Sequence, residues 1–169
     1  MPDTHHISEL LALELAAELA ITRRILAAVP DGHNNFKSHE KSMTLARLAS
    51  HVAELPSFAA VTLTSPDMDL GVPHGYKPHV FETSAQNVEA FDSLAADAIA
   101  TVNATSDAQF NEPWRLTYGE YEIFKGTRYN AFRSMAMNHV IHHRAQLGVY
   151  LRLLGEPVPK TYGPSADEQ

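Results

Sequence analysis

Three histidines fall within five positions of the 169-residue chain, in the stretch Asn138-His139-Val140-Ile141-His142-His143-Arg144. His139 and His143 are four apart. On a helix they share one face, about 40° round and one turn along, with Cβ atoms roughly 6 Å apart. Two imidazoles so placed can hold one divalent ion between them. The apolar residues Phe132, Ala136, Val140, Leu147, Tyr150 and Leu154 mark the face that such a helix would bury. His143 falls near the centre of that stripe and His139 just inside it. His142, about 100° from His143, falls at the margin. Arg144 points about 100° away from His143, which suggests a surface or dimer contact.

Imidazoles inside an apolar stripe cost free energy unless both rings find partners. A divalent ion would satisfy both at once; hydrogen bonds to carbonyls or acids across the core would also serve. These two readings stay open on the spacing alone. His51, flanked by Leu48 and Leu55 on another helical segment, is a third inward candidate. The pair lacks the His-Glu-x-x-His pattern of zinc proteases, because Val140 stands where the general base would be. It also lacks the carboxylate-rich Glu-x-x-His pattern of di-iron bundles. The chain has no cysteine, so a metal site must use His, Asp or Glu. Three neutral imidazoles suit zinc, nickel, iron or copper, with a position left open.

The elements that would position these residues are helical. Apolar periodicity, with Leu10, Leu11, Ile21 and Ile25 in the stripe, predicts a first helix from about His6 to Ala28. Val29-Pro30-Asp31-Gly32 ends it, and a polar loop runs to Met43. Thr44 is the expected N-cap of a second helix reaching about Leu63, with Leu45, Leu48, Val52, Leu55 and Ala59 inward. Pro56 should kink or break that helix just after His51. Thr64 to Thr83 is a long, proline-bearing connection of the kind that crosses between distant helix ends. A third helix is expected from Ser84 to about Thr105. Asp107 to Thr127 reads as irregular, with room for a short hairpin between Trp114 and Phe124. A last helix should span Arg128 to Leu154 and stop at Gly155 and Pro157. The expected fold is all-α, a four-helix bundle in a single domain over residues 1–169, with one long crossover, no convincing sheet and an irregular tail over 159–169. Tyr150 and Trp114 are expected in the core, and His33, His39, His74 and His79 in exposed loops.

Composition narrows the partners. The net charge of −7 and the lack of a basic patch argue against nucleic acid. No stretch reads as a signal peptide or a membrane span, since Glu14 and Glu18 interrupt the most apolar early segment. A cytoplasmic location is the expectation.

Three stretches give the chain a family likeness. Lys41-Ser42-Met43-Thr44-Leu45-Ala46-Arg47-Leu48-Ala49-Ser50-His51-Val52-Ala53-Glu54-Leu55-Pro56, His139 to Arg152, and the closing Leu154-Gly155-Glu156-Pro157-Val158-Pro159 with Tyr162 to Glu168 resemble the DinB/YfiT-like family of small metalloenzymes. Ala145 departs from the glycine frequent there. The resemblance implies an up-down-down-up bundle and a three-histidine metal site from His51, His139 and His143. It also implies a homodimer and, for some members, transferase or isomerase chemistry with low-molecular-weight thiols. On that basis the expected function is a metal-dependent enzyme, with zinc or nickel and then iron as the ion. It would act as a thiol-dependent transferase or isomerase, or as a hydrolase, on a small electrophilic substrate. Glu54, one turn from His51, is a candidate base or orienting group, although glutamates so placed are more often solvated. The competing readings are a non-catalytic metal- or ligand-binding module of a stress response, and an all-α core whose buried histidines bind no metal.

Overall fold

The computed structural model describes residues 6–72 and 77–168. Its helices are α1 (Ile7–Ala27), α2 (Leu45–Glu54), α3 (Ser57–Thr64), α4 (Ser84–Ala104), α5 (Asp107–Phe110), α6 (Arg128–Ala131) and α7 (Asn138–Leu154). A π-helical segment, Phe132–Met137, joins α6 to α7, so the last bundle helix is continuous but carries one wide turn. The architecture is a four-helix bundle, up-down-down-up, with α1, α2–α3, α4 and α6–α7 as its members. α4 packs on α1, α2 and α3, while α7 packs on α1 and α2.

Local signals set the helix ends. The Thr44 hydroxyl accepts the Arg47 N–H at 3.2 Å and caps α2. Thr83 and Gln86 form a reciprocal capping pair on α4. Pro56 breaks the second bundle helix as expected, leaving Leu55 and Pro56 between α2 and α3. Gly155 ends α7 in the left-handed region at φ 78°, a conformation that side chains with a Cβ disfavour.

The core follows the predicted faces closely. Leu45, Leu48, Val52, Leu55 and Ala59 are all buried, as are Phe132, Ala136, Val140, Leu147 and Tyr150. The Tyr150 hydroxyl donates to the Met43 carbonyl at 2.9 Å, so its polar end is satisfied. Leu10 is an exception: it is exposed, and the buried face of α1 runs instead through Leu11, Leu15, Leu19 and Leu26.

The short hairpin for which Trp114 to Phe124 left room forms, and with a third strand it makes a small sheet where no convincing sheet was expected. β2 (Pro113–Tyr118) and β3 (Tyr121–Thr127) form an antiparallel hairpin, and the two-residue β1 (Met68–Asp69) from the crossover adds to β2 in parallel. Trp114 and Leu116 alternate inward from β2 and pack with Ala131 in a small second core, and Trp114 is buried as expected. Asp69 locks β1 to the hairpin. Its Oδ1 accepts N–H groups from Gly71 at 2.8 Å and Gly119 at 2.9 Å. A β-carbon at Gly71 would stand 2.6 Å from the Gly119 nitrogen, so this close approach requires glycine. Among the described residues, no helix is long and apolar enough to cross a membrane.

Candidate metal centre

α2 and α7 lie side by side, and their contact brings His51 against the His139–His143 pair across 88 residues of chain. Ring centroids are 5.1 Å apart for His51–His139, 4.6 Å for His51–His143 and 4.7 Å for His139–His143. One nitrogen from each ring lies within 4.8 Å of the other two, a group that could hold one ion. His142 is exposed and outside the three-nitrogen group, although its ring lies edge-on to His143 at 4.7 Å.

The hydrogen-bond pattern dictates what these nitrogens can do. His139 Nδ1 faces the Met135 carbonyl at 3.3 Å, and His143 Nδ1 faces Gln146 Oε1 at 2.7 Å. Both partners can only accept, so each Nδ1 carries the proton and each Nε2 presents a lone pair. His51 Nε2 sits 3.3 Å from His139 Nε2. That spacing is close to the edge of a tetrahedron whose centre makes bonds of about 2.0–2.1 Å, the usual zinc–imidazole length. Without a cation, one ring must donate to the other. His51 Nδ1 is buried without a partner in either state, so it does not decide between them. With a cation, all three lone pairs converge on it. The donor set therefore fits a divalent transition metal.

Electrostatics favour the neutral imidazoles that such an ion needs. Burial, then the neighbouring His143 and His139, pushes the His51 ring down to about 3. Burial is also the main cause holding His139 and His143 below the ordinary histidine value. In the metal-free protein this has a definite sign. The unfolded chain protonates His51 below about pH 6.5, whereas the folded chain resists until about pH 3. Stability present above pH 6.5 is then lost progressively as pH falls towards 3. The urea midpoint of metal-free protein should drop between pH 7.5 and 5, and His51→Leu should flatten that drop.

Gln146 is a residue that helical spacing to the ligands did not single out. It lies three positions after His143 and four after His142, and it bridges them. Its Oε1 accepts from His143, and its Nε2 donates to His142 Nε2 at 3.1 Å. It thereby holds the proton on His143 Nδ1 and aims Nε2 inward. Gln146→Leu should lower metal affinity about 10- to 100-fold, the usual cost of losing a group that orients a ligand. Competition against a chromophoric chelator would measure it.

Other expected residues fall differently. Glu54 is buried, and its carboxylate accepts the His79 backbone N–H at 2.6 Å and lies 3.8 Å from Arg47. Beside it, Ser50 Oγ accepts the Phe81 N–H at 2.8 Å. These two α2 side chains stitch the end of the crossover onto the bundle next to His51. His33, His39 and His79 are exposed, and His74 lies outside the described residues. Arg144 corrects an expectation: it is only 2% exposed and forms an ion pair with Glu18 at 2.7 Å, because α1 and the tail cover the face it occupies.

A cleft of about 400 Å³ opens beside His143, lined also by Gln146 and Tyr150 of α7 and by Lys41, Ser42 and Leu48. It gives a small molecule access to His143 from solvent.

The DinB family model matches this chain over residues 1–169. The chain belongs to the DinB family. The Bacillus subtilis protein YrdA, itself uncharacterised, is 24% identical over 151 residues, covering 89% of this chain and 85% of its own. Two solved DinB-like proteins share the fold. YjoA from Bacillus subtilis superposes with a TM-score of 0.64 at 20% identity, covering 94% of this chain and 98% of its own. YfiT, also from Bacillus subtilis, gives a TM-score of 0.66 at 14% identity over 92% of this chain and 93% of its own. YfiT is described as a probable metal-dependent hydrolase with an unusual four-helix bundle topology. At these identities the DinB structures establish the fold.

Proposed function

We propose that this DinB-family protein binds one divalent transition metal through His51, His139 and His143 and works as a metal-dependent enzyme on a small molecule. The observation that carries the reading is the convergence of one ring nitrogen from each histidine within 4.8 Å, with the Nδ1 atoms of His139 and His143 held by Met135 and Gln146. The description of YfiT as a probable metal-dependent hydrolase supports it. Zinc or nickel is the favoured ion, with iron next, because three imidazoles without thiolate or carboxylate suit these metals. A bound ion supplies Lewis acidity and acidifies a thiol or water beside it.

The chain's own contribution is positional. Gln146 and the Met135 carbonyl fix the rings, while Leu48, Val149 and Tyr150 give the cleft apolar walls that limit water. The reaction proposed is transfer or isomerisation with a low-molecular-weight thiol, or hydrolysis of a small electrophile. The protein is proposed to act as a homodimer, which light scattering would test.

The alternative is a non-catalytic metal- or ligand-binding module of a stress response. The solvent-open cleft reaching His143 favours the enzyme, since a structural ion is normally closed off by four protein ligands. Protein prepared without an affinity tag should take up about one zinc or nickel per chain, and His51→Ala should not. Loaded protein should then turn over an electrophile with one of a panel of small thiols. Absence of stoichiometric metal would sink the proposal. A bound ion with four protein ligands and no exchangeable position would leave only the module.

A further inference from the structure

The cleft beside His143 has a polar rim that the metal site does not use. The loop ahead of α2 is pinned on both sides. Phe36 meets Tyr150 edge to face at 5.8 Å, the Met43 carbonyl accepts from Tyr150, and the Lys41 and Ser42 N–H groups donate back to His39. This fixes Lys41 and Ser42 over the cleft mouth. Ser38 Oγ donates to Ser42 Oγ at 3.2 Å, so the Ser42 proton is left to point to another acceptor. The Lys41 ammonium has no carboxylate partner among the described residues. Among the residues that line the cleft, Lys41 is the one permanent cation. Leu48, Val149, Tyr150 and His143 line the same cleft. A cation, a hydroxyl donor, apolar side chains and an imidazole lining one small cleft describe a ligand with an anionic head and a short carbon chain.

We propose that the cleft recognises its small-molecule ligand by a carboxylate, held by Lys41 Nζ and Ser42 Oγ, with the ligand's reactive end towards His143. The reactive end rests on the metal-enzyme reading above; the carboxylate site does not.

The test uses the whole protein loaded with cobalt, titrated with 3-mercaptopropionate and with its neutral amide, 3-mercaptopropionamide, reading the thiolate-to-cobalt absorption band. Wild type should bind the carboxylate up to about fivefold more tightly, the upper range for a partly exposed ion pair. That preference should shrink at high salt. Lys41→Gln should bind both probes equally while taking up cobalt normally, since Lys41 is exposed and touches none of the three rings. An undiminished preference in Lys41→Gln, or none in wild type, overturns the proposal. A second arm covers failure of the metal reading. If the protein takes up no cobalt, that reading falls alone. Metal-free protein titrated with 3-mercaptopropionate should still shift the Ser42 and Gln146 amide resonances in a salt-sensitive way that Lys41→Gln abolishes. Absence of those shifts overturns the carboxylate site.

Discussion

His143→Ala should cost at least about 100-fold in affinity for zinc or nickel, which is about 2.7 kcal/mol. In the proposed site three neutral imidazoles would share the ion, and removing one would leave two ligands that cannot enclose it. His143 is the most consequential of the three. It alone lines the cleft as well as the ion site, and its Nδ1–H is held by Gln146 at 2.7 Å. His142→Ala is the built-in control. That ring is exposed and meets the site from outside, edge-on to His143 at 4.7 Å and through Gln146, so its loss should change affinity less than about threefold, well below the 10- to 100-fold effect of removing Gln146 itself. Isothermal titration of metal-free protein reads both. Equal affinities for His143→Ala and wild type would remove His143 from the site. In metal-free protein the same substitution should not lower stability at pH 5, because it deletes a buried ring that resists protonation.

Arg144→Ala should destabilise the fold by about 3–5 kcal/mol, although Arg144 lies beside a candidate ligand and binds no metal. Its guanidinium donates to the Glu18 carbonyl at 3.0 Å and the Thr22 hydroxyl at 3.3 Å, and pairs with the Glu18 carboxylate at 2.7 Å. The Tyr162 hydroxyl accepts from Arg144 at 2.6 Å and donates to Glu18 at 2.8 Å, which ties the tail to α1 and α7. Removing the cation strands a carboxylate that is only 12% exposed with one hydroxyl donor. The cost is that of an unpaired buried charge, not of one lost contact. The double substitution Arg144→Met with Glu18→Leu should recover most of the loss, since apolar replacement of a whole buried pair is often neutral. Urea unfolding of the single and double variants gives the coupling directly. A loss below about 1 kcal/mol in Arg144→Ala would show that the pair is solvated.

The pairing of His139 with His143 was legible because helical geometry acts within one segment, and a stripe of six apolar residues defined the buried side. Gln146 could have been found the same way, since positions three and four along touch on any helix; its bridging role needed the observed rotamers. The third strand of the sheet escaped because β1 is two residues long and pairs only with β2, far along the chain. The wide π turn before His139 leaves no mark in a pattern of apolar residues that tolerates one extra position.

The sequence by itself determined the helices, their inward faces, the break at Pro56 and the histidines able to meet, because propensity and periodicity are local. Tertiary structure decided what covers each face. It placed α1 and the tail over Arg144, so a residue expected at the surface became a buried ion. It turned Glu54 towards the crossover and brought Lys41 to the same cleft as His143. Those outcomes depend on contacts between segments far apart in the chain, and no single helix carries the information that its neighbour will supply a charge, a hydroxyl or water.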